Sequence, residues 1–334
     1  MTSSDLPTAV ASTPFAAAQV AAAQVAGRQT YPTGALYVVA TPIGNLADIT
    51  LRSLYLLGLA DTIACEDTRH TGQLLHAFGL HKPLMALHEH NEFEAAHSVI
   101  AKLRAGERVA YVSDAGTPAV SDPGSRLVAL VAEAGLRVVP LVGASSVTAV
   151  LSVAGCVAAD TSRGSQVAGF VFAGFLPTKG AERAQALQQL TQEPRAVVIL
   201  EAPHRIETLF KDLAELARLP AFSTRKATVG RELTKQFESV VTMPAGELPA
   251  WLTAKPDNAR GEFALVVHPL PKTENLNAAD DLGSRIVSMP CKALLERLLA
   301  HMPLKAAVAL VCETSTLAKN DVYALALEIK NQTE

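Results

Sequence analysis

Ser113-Asp-Ala-Gly-Thr-Pro-Ala-Val-Ser-Asp-Pro-Gly124 follows directly on the apolar run Arg108-Val-Ala-Tyr-Val112. A strand that empties into two Asp, two Gly and two Pro within twelve residues builds a shaped loop, not a plain turn. Gly permits backbone angles closed to other residues, Pro fixes them, and Asp is a short hydrogen-bond acceptor. In an open α/β sheet, ligands sit at the carboxyl ends of strands, where this loop would lie. No phosphate-gripping Lys accompanies it, so hydroxyl and amide recognition is expected, as for a nucleoside-like cofactor. A structural strand-to-helix connection is the plainer alternative.

Outward from this loop the chain alternates strand and helix. Leu36–Ala40, Thr62–Cys65, Leu84–Leu87, Val109–Val112 and Arg137–Leu141 read as strands. Helical patterns cover 51–57, 71–78, 92–104 and 124–134. That alternation predicts an α/β fold with a mostly parallel sheet covered on both faces. Pro140-Leu-Val-Gly-Ala-Ser-Ser146 closes this half, its serines suited to cap the next helix. A second unit begins near Phe170, with strands at Gly169–Ala173, Ala196–Leu200, Thr228–Glu232, Glu238–Thr242 and Glu262–His268 and helices near 180–191 and 204–217.

The organisation expected is an Ala-rich extension over 1–34, α/β domains over 35–157 and 158–270, a linker over 271–283, and a small helical domain over 284–334. In the last, Leu304–Cys312 and Lys319–Lys330 have helix-turn-helix spacing. The extension reads as flexible or partly helical, outside the catalytic fold. It carries no Lys or Arg before Arg28, unlike a secretory signal. The apolar run Ala144–Ala159 is shorter than the ~18 residues of a spanning helix. No membrane partner is expected.

The chain has 334 residues, 49% hydrophobic and 18% charged, with a net charge of −3, so RNA contact would need a local basic face. Cys65, Cys156, Cys291 and Cys312 form no CxxC pair, which disfavours structural zinc and disulfides and fits a cytoplasmic location.

Thr41-Pro-Ile-Gly-Asn45 follows the first strand and sits beside the 113–124 loop if both strands are central. It is neither a GxGxxG dinucleotide loop nor a Walker loop. With Ser145 and Ser146, these loops nominate Pro42, Gly44, Asn45, Asp114, Ala115, Gly116 and Thr117 as cofactor-binding residues. Glu66-Asp-Thr-Arg-His70 ends the second strand, and His88-Glu-His90 lacks an evident third metal ligand. In the second half, strand ends deliver Lys179 and Arg183, then Arg205, then Arg231 and Glu232. Together the cations suggest a positive rim for an RNA backbone, while each alone reads as an ordinary surface charge. Glu66, Asp67, Arg69, Lys179, Arg205 and Glu232 are candidates for the catalytic group by strand-end position.

ATPIGNLADITLRSL, ACEDTRHTGQLL, SDAGTPAVSDPG, VGASSVTAVLSVAG, FAGFLP-K, EAPHRI and VGRELTKQFE, in this order, resemble the signature blocks of the bacterial ribosomal RNA small-subunit methyltransferase I family. That family lies in the tetrapyrrole-methylase superfamily, and the resemblance covers about 35–268. It implies a two-domain enzyme with S-adenosylmethionine in the interdomain cleft, and 2′-O-methylation of a decoding-centre cytidine in 16S rRNA. It also implies a homodimer. A methylase of small tetrapyrroles would share the fold. A noncatalytic RNA-binding assembly factor would need the basic rim but not the donor loops.

Overall fold

The computed structural model describes residues 14–88, 90–156, 169–220, 222–269, 291–314, 322–327 and 329. They fall into two compact units, Met1–Pro271 and Lys272–Glu334.

The larger unit holds two sheets. The first contains β1 (Ala35–Val39), β2 (Thr62–Cys65), β3 (Leu84–Ala86), β4 (Val109–Val112) and β5 (Arg137–Leu141) in the order β3-β2-β4-β1-β5. Every pair is parallel. β2 and β4 are buried along their whole length, as a sheet covered on both faces requires. One face packs Tyr37, Ile63 and Val112 under α2 (Leu51–Leu59) and α3 (Thr68–Ala77). The other packs Leu36, Ala64 and Tyr111 under α4 (Glu92–Arg104) and α5 (Ser125–Glu133). α3 starts earlier than its apolar pattern, because the Asp67 carboxylate accepts from the Arg69 and His70 amides and caps it.

The second sheet contains β6 (Phe170–Phe175), β7 (Ala196–Glu201), β8 (Lys226–Arg231), β9 (Ser239–Pro244) and β10 (Phe263–Val267). Its order is β6-β7-β10-β8-β9, and only β6 and β7 run parallel. α7 (Gly180–Gln192), α8 (Ile206–Leu216) and α9 (Leu248–Ala254) cover one face, where Phe210, Leu213, Leu248 and Leu265 meet. The opposite face packs Val198, Ala264 and Val266 against Val147 and Val150 of α6 (Ser146–Ala154). Thus α6, which the sequence groups with the first domain, is part of the second sheet's core. Arg225, fully buried, donates to the carbonyls of Leu190, Glu193, Arg195 and His268. Burial pulls its pKa down to about 10.

The described part of the N-terminal extension, from residue 14, packs on the fold. α1 (Ala16–Ala26) buries Ala22 and Ala26, and Ala22 joins Leu54 and Phe78 in one cluster. Alanines let its backbone approach α2 closely, and Phe15 meets Phe78 edge-on at 4.9 Å. Helical periodicity is hard to see where nearly every position is Ala.

The smaller unit contains α10 (Cys291–Leu299), α11 (Leu304–Thr314) and a helical turn over 322–327. Leu295, Val308, Val311, Val322 and Ala326 form its core, whereas Leu327 is exposed. Residues 157–168 and the whole of the linker expected over 271–283 lie outside the described residues.

Candidate active site

Three strand-end loops of the first sheet are tied into one surface. Thr41 and Gly116 exchange backbone hydrogen bonds of 2.9 and 3.1 Å. Thr41 Oγ1 donates to Ser113 O at 3.3 Å, and Thr117 Oγ1 to Ala144 O at 3.0 Å. Gly116 has a φ of 81°, and a Cβ there would stand 3.2 Å from Ile43 Cγ2. Ala119 and Ser121 hold φ values of 65° and 73°, a strained region for residues with a side chain. The strain is held from outside the loop. Glu92 Oε1 accepts from the amides of Gly124, Arg126 and Leu127, and Tyr111 Oη donates to Pro123 O at 2.7 Å.

Between the two sheets this surface walls a cavity of about 360 Å³. Ala115, Gly116, Thr117, Ser145 and Ser146, all nominated from the sequence as cofactor-binding, line it. Leu200, Gly230, Leu233 and Ala264 supply the opposite wall, which sequence reading missed because these are ordinary apolar strand ends. Pro42, Gly44 and Asp114 line a neighbouring cavity of about 380 Å³ instead. Asn45 lines neither, since its Oδ1 accepts from Ala47 N and caps a short 3₁₀ turn. Ser145 occupies the cap position of α6 without making the side-chain cap bond expected of it.

Among the described residues, the lining of the first cavity contains no Lys, Arg or His, and it includes Asp122, Glu201 and Glu262. That composition suits a ligand carrying positive charge and hydroxyls, and rejects a phosphate. The volume is of the size that takes one small-molecule cofactor. The chain's residues therefore fit S-adenosylmethionine.

Carboxylates crowd the ends of β2 and β4. Burial, with the Asp114, Asp122 and Asp67 charges, pushes the Glu66 carboxyl above its usual value. Burial and Asp114 likewise push Asp122 up, against a hydrogen bond from Ser113. Asp67 is the opposite case. Hydrogen bonds from the Arg69 side chain and amide pull it to about 2, and the pair lies 3.0 Å apart on the surface. Arg69 is thereby tied to the cap of α3.

The expected basic rim divides. Lys179 is exposed and makes no side-chain cap bond at the start of α7. Arg231 is half-buried, and its guanidinium donates to the Arg260 carbonyl at 3.3 Å. Arg183 is not on the rim. It is 8% exposed, paired with Asp212 and donating to Pro177 O. Arg205 is also committed, pairing with the buried Glu201 carboxylate at 3.0 Å and donating to Leu176 O. An Arg in the first turn of a helix, like Arg183, or at its N-cap, like Arg205, finds an internal carboxylate as readily as solvent, and sequence does not tell the two apart. Glu232 holds Lys235 at 2.9 Å and the Glu262 amide at 2.8 Å. His88 and His90 stand 6.1 Å apart, and no group of three metal-ligand side chains occurs among the described residues.

The tetrapyrrole (corrin/porphyrin) methylase family matches residues 35–249, and the RsmI C-terminal HTH domain matches 291–330. The chain is 42% identical over 299 residues to ribosomal RNA small subunit methyltransferase I of Neisseria meningitidis serogroup B, covering 90% of this chain and 95% of that one. It is 42% identical to the protein of that name from Escherichia coli O157:H7, over 88% of this chain and 95% of that one. A crystal structure of cobalt precorrin-4 methyltransferase superposes with a TM-score of 0.53 at 17% identity, over 72% of this chain and 98% of that one, and so shares the fold. With both parts of the chain matched in order, and with a cavity built from the loops that carry the likeness, the chain belongs to the tetrapyrrole methylase family and, within it, to the ribosomal RNA small subunit methyltransferases I.

Proposed function

We propose that the chain methylates the 2′-hydroxyl of a cytidine ribose in the decoding centre of 16S rRNA, using S-adenosylmethionine. The observation that carries this reading is the cavity between the sheets: carboxylate-lined, free of Lys, Arg and His among the described residues, and walled by three interlocked strand-end loops. When bound, the cofactor supplies an electrophilic methyl group on a cationic sulfur.

The protein's contribution is alignment and charge. Gly116 and Thr117, fixed by Thr41 and Ala144, hold one side of the donor, and the ends of β7, β8 and β10 hold the other. A rigid frame of this kind lowers the barrier by setting the attacking oxygen in line with the methyl group. Glu201 and Glu262 are already paired with Arg205 and Lys235, so Asp122 is the lining carboxylate whose charge favours a cationic ligand. Of the acids lining the donor cavity, Asp122 is the one with a raised proton affinity, the property that a base for the ribose hydroxyl needs. Asp67 and Glu232, held in ion pairs and below their usual values, are poorer bases.

Lys179 and Arg231 remain as the cations of the sequence-derived rim for the RNA backbone. The helical unit over 291–329 is read as a substrate-orienting accessory, and the protein as a homodimer acting on the small subunit in the cytoplasm. Mass spectrometry of 16S rRNA nucleosides with and without the gene tests the reaction. Loss of one 2′-O-methylcytidine without the gene is expected, and an unchanged profile would refute it. Light scattering of the purified chain tests the dimer.

A further inference from the structure

Beside the donor cavity lies the second one, and the two share Ile43, Ala115 and Glu262. Leu46, Leu74 and Ala77 give it an apolar floor, and Asp114 and Lys235 line it as well. Lys235 is held with unusual care. Its Nζ donates to Glu232 Oε1 at 2.9 Å and to Glu262 Oε2 at 3.0 Å. An ammonium has three N–H groups, so one remains for a ligand.

Several features of the fold serve this placement. Gly44 is bare where a Cβ would stand 2.4 Å from Lys235 Cγ. Glu232 and Thr234 hold φ values of 52° and 67°, left-handed conformations that cost energy for residues with side chains. Burial lowers the Lys235 pKa, but the bonds to Glu232 and Glu262 outweigh it, and the net shift is upward. Lys235 is thus a fixed cation and donor, not a base. Two carboxylates around one ammonium leave this corner net negative, with Asp114 lining the same cavity, so a phosphate is disfavoured. A neutral group with hydroxyls and an apolar face is favoured.

We propose that this second cavity receives the target nucleoside, turned out of the RNA, and that Lys235 donates its remaining N–H to an oxygen of that ribose. The proposal deepens the methyltransferase reading and rests on it. Extrusion of a nucleotide into a pocket is the general solution when an enzyme must reach an atom hidden in folded nucleic acid. The shared wall at Ile43 and Ala115 brings that ribose next to the donor.

The test compares the parent with Lys235→Met, Lys235→Arg and Gly44→Ala on unmethylated small ribosomal subunits. S-adenosylmethionine affinity is measured by calorimetry and folding by thermal unfolding. Gly44→Ala keeps every charge but pushes the Lys235 stem aside. In Lys235→Met the Glu232 loop keeps its bond from Glu262 N. Expected is a fall in kcat of about 10-fold or more for Lys235→Met and Gly44→Ala, partial recovery in Lys235→Arg, and donor affinity within about 3-fold of the parent. A merely structural lysine would lower unfolding temperature and donor affinity together. That result, or full activity in Lys235→Met, would overturn the proposal. If the parent itself binds donor but methylates no subunit, the functional reading falls first, and the proposal with it.

Discussion

Thr41 and Gly116 exchange two backbone hydrogen bonds, 2.9 and 3.1 Å, across the gap between the loops that follow β1 and β4. This isolated bridge makes two strand-end loops one wall, and Thr117 Oγ1 fastens a third loop to it through Ala144 O. Thr117→Val removes that fastening and should weaken S-adenosylmethionine binding by about 0.5–1.5 kcal/mol, roughly 2- to 12-fold. Gly116→Ala, forced into a φ of 81°, should weaken it at least as much. Calorimetry decides, and unchanged affinity in both variants would detach this wall from the donor.

The carboxylates give the chain an uncommon pH dependence. Glu66 and Asp122 have raised pKa values in the folded state, so the folded chain holds protons that the unfolded chain releases. Their contribution therefore lowers stability as pH rises from about 4 through their folded values. Asp67, held at about 2, acts in the opposite sense, and its contribution is lost as pH falls from about 4 through that value. Glu66→Gln should flatten the fall in unfolding temperature on the alkaline side of about pH 4. A cationic donor favours the ionised acids, so its affinity should rise over the same interval. An affinity independent of pH would remove the carboxylates from the donor's surroundings.

Arg183 and Lys179 should behave differently although both were candidates for the RNA face. Lys179→Met together with Arg231→Met should reduce the slope of log affinity against log salt by about two units, the release of two counterions. Arg183→Met should leave the slope alone and cost about 2–3 kcal/mol of stability, because Asp212 and Pro177 O lose a nearly buried partner. Filter binding at several salt concentrations and thermal unfolding separate the two effects.

A chain ending at Leu270 should bind S-adenosylmethionine within about 3-fold of the parent yet lose methylation of small subunits. Every residue lining the donor cavity lies between Ile43 and Ala264, and the smaller unit has its own core around Leu295 and Val308. Retained methylation would remove the accessory role from the helical unit.

Read alone, the sequence determined the strands, the parallel order of sheet and helix in the first half, and the shaped loop over 113–124. Buried strands are apolar along their length and special loops must use Gly, Pro and Asp, so local chemistry writes these features plainly. The loop pairing of Thr41 with Gly116, the loss of Arg183 and Arg205 to internal carboxylates, and the packing of α6 on the second sheet were decided only by tertiary structure. So were the two remaining surprises, the docking of the Ala-rich α1 and the seating of Lys235 against Gly44. Each depends on which surfaces meet across many residues of chain. A charge or a small side chain carries no local mark of the partner it will find.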